Sequence, residues 1–302
     1  TDDQEFLFSK GVDMLIQICK MLASRVQIGQ KDNKYGYFGV MGPDEFHMMV
    51  NNDFYTNYMA KKTFEFTLFT LDLIEKHNIE IYKQVLEKNC LHEEEICEWK
   101  NISENINILQ DLDSKIYEQH EGYFNLPHLE ISKIPQEEIP LYKHWSYDRI
   151  YRYDMIKQPA VLLAMFLYNN KFTLEEKQVN YNYYDKRCMH ESSLSPSIHS
   201  ILACELGLYK KAYEYFMYAT RLDLDNYNKN TDEGLHITSL AAAWLNIVYG
   251  FGGMRSDEDI LIFSPMIPDN WSYYSFKVVY KGAIISVYVD KEKVKFQTLN
   301  GK

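Results

Sequence analysis

The chain has 302 residues, 46% of them hydrophobic and 25% charged, which is ordinary for a globular protein with one large core or a large domain and a small one. Its formal net charge is −11 and its Lys and Arg residues form no cluster, so we expect no nucleic-acid partner. No apolar run is long enough to span a bilayer and no signal-like segment is present, so we expect no membrane partner either.

The five cysteines are odd in number and no two have the spacing of a CxxC pair. This pattern indicates neither a disulfide framework nor a zinc knuckle, and a reducing cytoplasm is the expected location. The histidines show no metal-ligand spacing with carboxylates, so no metal is expected.

Hydrophobic periodicity predicts one helix over residues 6–26 and another over residues 54–76, separated by a loop at residues 30–36. Short helices are predicted between residues 79 and 110. The proline-containing stretch 118–144 is predicted to be a long irregular loop, and such loops inside a compact domain are usually functional.

Helical periodicity returns at residues 154–168, where nearly every side chain is apolar and the helix is therefore expected to be buried on most sides. Four more helices are predicted, over residues 174–184, 196–206, 208–220 and 234–249. Helices in pairs with functional loops between them favour a helical toroid over a bundle.

After Gly252-Gly253 the pattern changes to short β-branched and aromatic segments separated by turn signals. Strands are predicted over residues 260–263, 274–280, 283–289 and 293–298. We therefore divide the chain into a helical domain, 1–252, and a small antiparallel β-sheet domain, 253–302.

The segment with the most chemical information is residues 39–57, GVMGPDEFHMMVNNDFYTN. Gly42-Pro43 forces a turn before Asp44 and Glu45. A carboxyl on a rigid turn among aromatic side chains can have its pKa raised by desolvation, as a general acid requires. The alternative is that both acids simply favour the N-terminus of a following helix.

This segment resembles the general-acid loop of glycoside hydrolase family 65, in which Gly-Pro-Asp-Glu-aromatic-His is followed by an Asn-rich stretch and Tyr-Thr-Asn. The matching positions are Gly42, Pro43, Asp44, Glu45, Phe46, His47, Asn51, Asn52, Tyr55, Thr56 and Asn57. Three further segments resemble the family in the same order: residues 154–158 (DMIKQ), 190–195 (HESSLS), and 233–236 (EGLH) continuing to 250–255 (GFGGMR).

The resemblance implies a mainly α fold, in which residues 1–252 form the C-terminal part of an (α/α)6 barrel and residues 253–302 the small sheet domain. Complete members of the family begin with a large β-sandwich domain and a linker. We therefore expect this chain to be a fragment that lacks part of subsite −1 and the loop that selects the linkage. Whether the fragment is active by itself stays open.

The implied reaction is the inverting phosphorolysis of an α-linked glucose disaccharide, which yields β-glucose 1-phosphate and glucose. Glu45 is the expected general acid, and Lys157 and Gln158 are expected to contact the sugar in subsite −1. Ser192, Ser193 and His236 are expected to bind inorganic phosphate, which is a co-substrate, so no cofactor is implied. The alternatives are that the serines cap the helix at Pro196 and that His236 is a satisfied core histidine.

Residues 46–51 resemble those of maltose phosphorylases, so maltose is the favoured substrate, with nigerose, kojibiose and trehalose phosphorylases as rivals. A hydrolase of the same barrel type would need a carboxylate base facing Glu45, for which Glu191 and Glu233 are the candidates. A non-catalytic half-barrel that binds a partner is the third possibility. The full-length enzyme is expected to be a homodimer.

Overall fold

The computed structural model of the chain describes residues 3–257 and 260–300, and the chain divides into two compact units. The first unit comprises Thr1–Gly42, Met48–Gln110 and Tyr117–Gly122. The second comprises Pro43–His47, Asp111–Ile116 and Tyr123–Lys302. Among the described residues, no helix combines the length and the apolar character that crossing a bilayer requires.

The first unit is built from helices and one very short hairpin. Its helices are α1 (Gln4–Phe6), a π-helical turn (Leu7–Gly11), α2 (Val12–Arg25), α3 (Phe54–His77), α4 (Ile79–Lys88) and α5 (Glu93–Asn105). Its two strands, β1 (Gln27–Ile28) and β2 (Tyr35–Gly36), pair antiparallel.

The core of the first unit forms where α2, α3 and α5 bring fully buried side chains together. Ile16, Phe64, Trp99 and Ile102 are at most 1% exposed and belong to one apolar cluster. Asp53 caps α3 by accepting a hydrogen bond from the Thr56 N–H, which satisfies a backbone donor that a helix start leaves free. The helices predicted at residues 6–26 and 54–76 are present, and the loop predicted at 30–36 contains strand β2.

The second unit carries most of the remaining helices. They are α6 (Leu141–His144), α7 (Tyr147–Ile150), α8 (Ala160–Leu167), α9 (Leu174–Tyr184), α10 (Ser195–Glu205), α11 (Tyr209–Arg221), α12 (Ile237–Leu245) and a π-helix (Asn246–Phe251). The predicted loop at 118–144 contains three short 3-10 helices and α6: Tyr123–Asn125, Ile131–Lys133, Gln136–Glu138 and Leu141–His144.

The helix predicted over residues 154–168 starts later than expected, at Ala160. Pro159 occupies its N-cap and disfavours helical conformation in the residue before it. Ile156 instead donates its N–H to the Arg187 carbonyl and accepts one from Met189, both at 2.8 Å. Lys157 therefore does not open the apolar helix, as its position in the sequence suggested, but lies in the extended segment before it.

Two small antiparallel sheets follow the helices. One pairs β3 (Arg255–Asp257) with β4 (Ile260–Ile262), and the other contains β5 (Tyr273–Tyr280), β6 (Ala283–Asp290) and β7 (Val294–Asn300) in that order. Strand β3 was not predicted. Gly253 precedes it with a φ of +57°, and a Cβ there would lie 2.3 Å from the Ser264 carbonyl oxygen, so a side chain does not fit at this close approach.

Candidate active site

The acid turn, which we define as Pro43–His47, belongs to the second unit and is anchored by Phe46. The Phe46 ring is 1% exposed and packs in a cluster with Leu141, Trp145, Ile150, Met155 and Met189. The turn is not helical, and the helix that follows it in the chain begins only at Phe54 with Asp53 as its cap. The alternative that Asp44 and Glu45 are helix N-terminal acids is therefore wrong.

Asp44 organises the turn from inside, where it is 2% exposed. One carboxylate oxygen accepts hydrogen bonds from the backbone N–H of Lys157 at 2.7 Å and of Gln158 at 3.3 Å. The other lies 2.8 Å from Nδ1 of His47, whose Nε2 lies 3.1 Å from the Tyr153 carbonyl oxygen. Burial opposes a charge on His47, but the hydrogen bond to Asp44 and the charge of that carboxylate raise the pKa of the ring above its ordinary value.

Glu45 and Lys157 meet at the surface of this turn. The Lys157 ammonium donates to Oε2 of Glu45 and lies 5.4 Å from the centroid of the Tyr142 ring. The Glu45 side chain is 47% exposed whereas that of Lys157 is 18% exposed. Gln158 is 9% exposed. The turn thus presents a half-exposed carboxyl with a cation held against it.

The phosphate segment, which we define as residues 190–195, starts from a residue held in an uncommon conformation. His190 has a φ of +57°, which is rare for a residue with a side chain. Its ring nitrogens contact the Ser195 hydroxyl at 3.1 Å and the Tyr215 hydroxyl at 3.2 Å. Its carbonyl accepts from Tyr218 and Asn228, so both faces of the residue are held by neighbours. Burial, followed by the nearby His199 and Lys211, lowers the pKa of His190 well below the ordinary value.

The next three residues of the segment carry a buried carboxyl and two hydroxyls. Glu191 is 3% exposed, and its Oε1 accepts the Leu141 N–H at 2.8 Å. The Ser192 hydroxyl accepts the Leu194 N–H at 3.2 Å, and Ser193 is half-buried. Helix α10 has Leu194 at its N-cap with no side-chain cap, so the alternative that Ser192 and Ser193 cap this helix is wrong.

His236 lies just before α12 and is paired with an acid that the sequence analysis did not single out. Its Nδ1 lies 2.5 Å from Oδ1 of Asp223, and its backbone N–H donates to Oδ2 of the same carboxylate at 2.8 Å. Burial tends to raise the pKa of Asp223, but these two hydrogen bonds and the His236 charge lower it overall. The ring is 21% exposed, so His236 is not a fully enclosed core histidine. Asp223 is 13 residues away in sequence, and no local pattern reveals the pair.

Tyr142 is a second residue that the sequence analysis missed, because it lies in the stretch predicted as a loop. Its hydroxyl donates to both carboxylate oxygens of Glu233, at 2.8 and 2.9 Å. Lys143 adds an ion pair to Glu233 at 2.9 Å. The hydrogen bonds from Lys143 and Tyr142 lower the pKa of Glu233. Of the two carboxyls proposed as a hydrolytic base, Glu233 is therefore already engaged, and Glu191 is the buried one.

One cluster in the described part of the chain has the residue types of a metal site. The ligating atoms of Cys188, His190 and His199 all lie within 4.8 Å of one another, and a Cys-His-His set suits zinc. However, both ring nitrogens of His190 already contact hydroxyl groups, and Nδ1 of His199 lies 3.0 Å from the Ser195 carbonyl oxygen. Most of the ligating atoms are therefore engaged in hydrogen bonds within the fold, whereas Nε2 of His199 is buried without a hydrogen-bond partner among the described residues.

Comparison with known proteins gives the class to which this fold and these motifs belong. The chain belongs to glycosyl hydrolase family 65: the model of the family's central catalytic domain matches residues 1–245, and that of its C-terminal domain matches residues 254–302.

Several relatives are similar over the whole chain. The chain is 40% identical to the maltose phosphorylase of Bacillus subtilis, 41% to the α,α-trehalose phosphorylase of Thermoanaerobacter brockii and 36% to the kojibiose phosphorylase of the same organism. Each alignment covers 100% of this chain but 39% of the relative, so the chain spans about two-fifths of their length.

A solved structure assigned as a kojibiose phosphorylase from the human microbiome matches with a TM-score of 0.92 and 47% identity, over 99% of this chain and 41% of that one. The resemblance to family 65 and the fold class, a mainly α chain that forms part of an (α/α)6 barrel followed by a small antiparallel sheet domain, are thereby confirmed. The domain boundary at residue 252 and the roles of the six site residues stay predictions.

Proposed function

We propose that this chain provides the general acid and the phosphate-binding residues of an inverting disaccharide phosphorylase, with maltose as the favoured substrate. The observation that carries the proposal is the half-exposed Glu45 carboxyl on a turn anchored by Phe46 and Asp44, with Lys157 held against it. A rigidly positioned carboxyl that a substrate can reach is what protonation of a glycosidic oxygen requires.

In the proposed reaction Glu45 donates its proton to the glycosidic oxygen as the bond to the anomeric carbon breaks. Inorganic phosphate attacks the same carbon from the opposite face, which inverts the α-linkage and releases β-glucose 1-phosphate and glucose. The enzyme needs no second carboxylate to activate a nucleophile, because phosphate is already anionic. Glu45 regains a proton from solvent, to which its side chain is open.

Lys157 is proposed both to pair with Glu45 and to contact the sugar. Its ammonium forms an ion pair with the Glu45 carboxylate. A sugar hydroxyl in subsite −1 that accepts a hydrogen bond from Lys157 would draw the ammonium away from Glu45. The carboxylate would then take up a proton from solvent and face the glycosidic oxygen as the acid. Gln158 follows in the same extended segment, and both backbone N–H groups are held by Asp44, which limits their freedom.

Phosphate is proposed to bind at Ser192, Ser193 and His236. Hydroxyl and imidazole groups are suitable hydrogen-bonding partners for a phosphate oxyanion. Asp223 supports the assignment of His236, because its carboxylate holds Nδ1 of the ring. The opposite ring nitrogen, Nε2, therefore points away from Asp223.

The choice of maltose rests on residues 46–51, because identities of 40%, 41% and 36% do not separate the maltose, trehalose and kojibiose enzymes. Within that segment Phe46 is buried and Met49 is 78% exposed, so Met49 is the better placed to contact a sugar. A cytoplasmic location is proposed on the five free cysteines. A homodimer of the full-length enzyme stays a prediction.

A hydrolase is the second candidate function. The observation that favours it is the buried Glu191 carboxyl, which is a possible general base. The test is a chimaera in which this chain replaces the matching part of the Bacillus subtilis maltose phosphorylase, incubated with maltose with and without phosphate. Formation of β-glucose 1-phosphate, followed by 31P and 1H NMR, is expected only with phosphate. Glucose release without phosphate would reject phosphorolysis and establish the hydrolase.

A further inference from the structure

Tyr142 contacts two charged residues of the candidate site, although the reaction proposed above gives it no role. Its ring centroid lies 5.4 Å from the ammonium of Lys157, which also donates to Oε2 of Glu45. Its hydroxyl donates to both carboxylate oxygens of Glu233, at 2.8 and 2.9 Å. One side chain therefore connects the cation at the acid turn with the loop that leads to His236.

The Lys157 ammonium needs a neighbour other than Glu45 if it is to contact a sugar. A lysine side chain is flexible, and its ammonium is a compact charge without a fixed direction. The face of a tyrosine ring attracts an ammonium within about 6 Å of its centroid, and more strongly where water is excluded. The Lys157 side chain is 18% exposed. The Tyr142 ring can therefore hold the ammonium without accepting its hydrogen bonds, which leaves the N–H donors free for a sugar hydroxyl.

The Tyr142 ring is itself held from both ends. The residue before it, Leu141, is fully buried, and its N–H donates to Oε1 of Glu191 at 2.8 Å. At the other end, Glu233 accepts the hydroxyl with both oxygens and also pairs with Lys143 at 2.9 Å. Burial, followed by the hydrogen bond to Glu233, raises the pKa of Tyr142, so its hydroxyl stays a donor at neutral pH.

We propose that Tyr142 is a positioning residue that holds the Lys157 ammonium for the sugar in subsite −1, while Glu233 fixes the orientation of the Tyr142 ring. The proposal rests on the proposed function, since it takes Lys157 as a sugar contact and Glu45 as the general acid. It also gives Glu233 a role that differs from that of a hydrolytic base.

The first test compares two substrates in the chimaeric enzyme. Tyr142→Leu removes the aromatic face and is expected to lower kcat/KM about tenfold for both maltose and α-glucosyl fluoride, because both place a glucosyl unit in subsite −1. The loss should include a rise in KM, whereas partial unfolding lowers kcat alone. Tyr142→Phe keeps the face and loses the hydroxyl, so it should restore most of the activity and leave a loss of about threefold.

Tyr147→Leu is the matched control, since Tyr147 is an exposed tyrosine whose ring contacts that of Tyr151 at 5.8 Å. It is expected to keep the wild-type constants. Wild-type kcat/KM in Tyr142→Leu would overturn the proposal, and so would a loss confined to maltose, which would place the effect on proton donation. A chimaera that is inactive on both substrates would instead reject the proposed function.

The role of Glu233 is tested by a double-mutant cycle. If Glu233 acts through the Tyr142 hydroxyl, then Glu233→Ala should resemble Tyr142→Phe, and the double variant should lose no more than either single variant. Losses that multiply in the double variant would show that Glu233 acts independently of Tyr142, contrary to the proposal.

A further measurement needs no substrate and uses the 302-residue chain itself. In a chain with 13Cε-labelled lysine, the Lys157 signal is identified by its loss in Lys157→Arg. An aromatic ring shifts protons that lie over its face upfield. The Lys157 signal is therefore expected upfield in wild type and in Tyr142→Phe, and at the ordinary lysine position in Tyr142→Leu. An unchanged Lys157 signal in Tyr142→Leu contradicts the proposal whether or not the chimaera is active.

Discussion

The acid turn and the phosphate segment each bring one glutamate to the vicinity of Lys157, and they treat it in opposite ways. Glu45 is 47% exposed and accepts a hydrogen bond from the Lys157 ammonium. Glu191 is 3% exposed and, among the described residues, accepts a hydrogen bond from one backbone N–H alone. The two side chains are chemically identical. Their surroundings alone leave the Glu45 carboxyl open to substrate and solvent and enclose that of Glu191.

This difference shows how the surroundings of a side chain can assign different properties to the same residue type. A cation in contact stabilises the charged form, and removal from water stabilises the neutral form.

The largest effect is expected from Glu45→Gln in the chimaeric enzyme. Loss of the general acid should lower kcat/KM for maltose by about 10³-fold, within the usual range for this kind of catalysis. The control substrate is α-glucosyl fluoride, whose leaving group needs no proton, and its phosphorolysis should fall far less. Equal losses on both substrates would show that Glu45 serves binding or folding rather than proton donation.

Replacement of Asp44 by Asn should destabilise the acid turn and lower the free energy of unfolding of the chain. The substitution removes the charge that His47 faces and weakens the acceptor of the Lys157 N–H, in a site that is 2% exposed. Breaking a buried charged pair of this kind costs about 3 kcal/mol of unfolding free energy. The measurement is urea denaturation, with the helix cap Asp53→Ala as the matched acid, for which a loss of about 1 kcal/mol is expected. A smaller loss for Asp44→Asn than for Asp53→Ala would contradict the central role of Asp44.

The stability of the chain should depend on pH through Glu191. Burial raises its pKa from 4.5 to about 7, so the folded chain holds a proton that the unfolded chain releases. The stabilisation is fully present below about pH 4.5, is lost as the pH rises to about 7, and amounts to about 3 kcal/mol. Urea denaturation of wild type and Glu191→Gln over this range should show a free energy of unfolding that falls more steeply with pH in wild type, by the contribution of Glu191. Parallel curves would indicate that Glu191 is not neutralised by burial.

The smallest effect is expected from Asp223→Asn, which leaves both glutamates untouched. Loss of the charge opposite Nδ1 of His236 should raise the KM for phosphate by about tenfold while kcat changes by less than about threefold. Asp225→Asn is the matched control, because Asp225 pairs with Arg221 at 2.6 Å and does not contact His236. If both variants behave alike, Asp223 acts on the local fold and not through His236.

The helices and strands with strong periodicity could be predicted from sequence, and the exceptions have local causes. The helices at residues 54–76 and 174–184 are close to the observed α3 and α9, because side chains repeating every 3.6 residues bury one face. The late start of α8 has two causes. Pro159 restricts the residue before it, and Ile156 is held in an extended bridge to Arg187 and Met189. Strand β3 is only three residues long and has too few side chains to show an alternation.

The sequence by itself determined the motifs in the acid turn and the phosphate segment, and the family to which they belong, since these are properties of residues close together in the chain. Only the tertiary structure decided which partners those residues have. Asp44 reaches Lys157 across 113 positions, Leu141 reaches Glu191 across 50, and Asp223 reaches His236 across 13. Burial and charge act through space, so the separate environments of Glu45 and Glu191 exist only once the chain has folded.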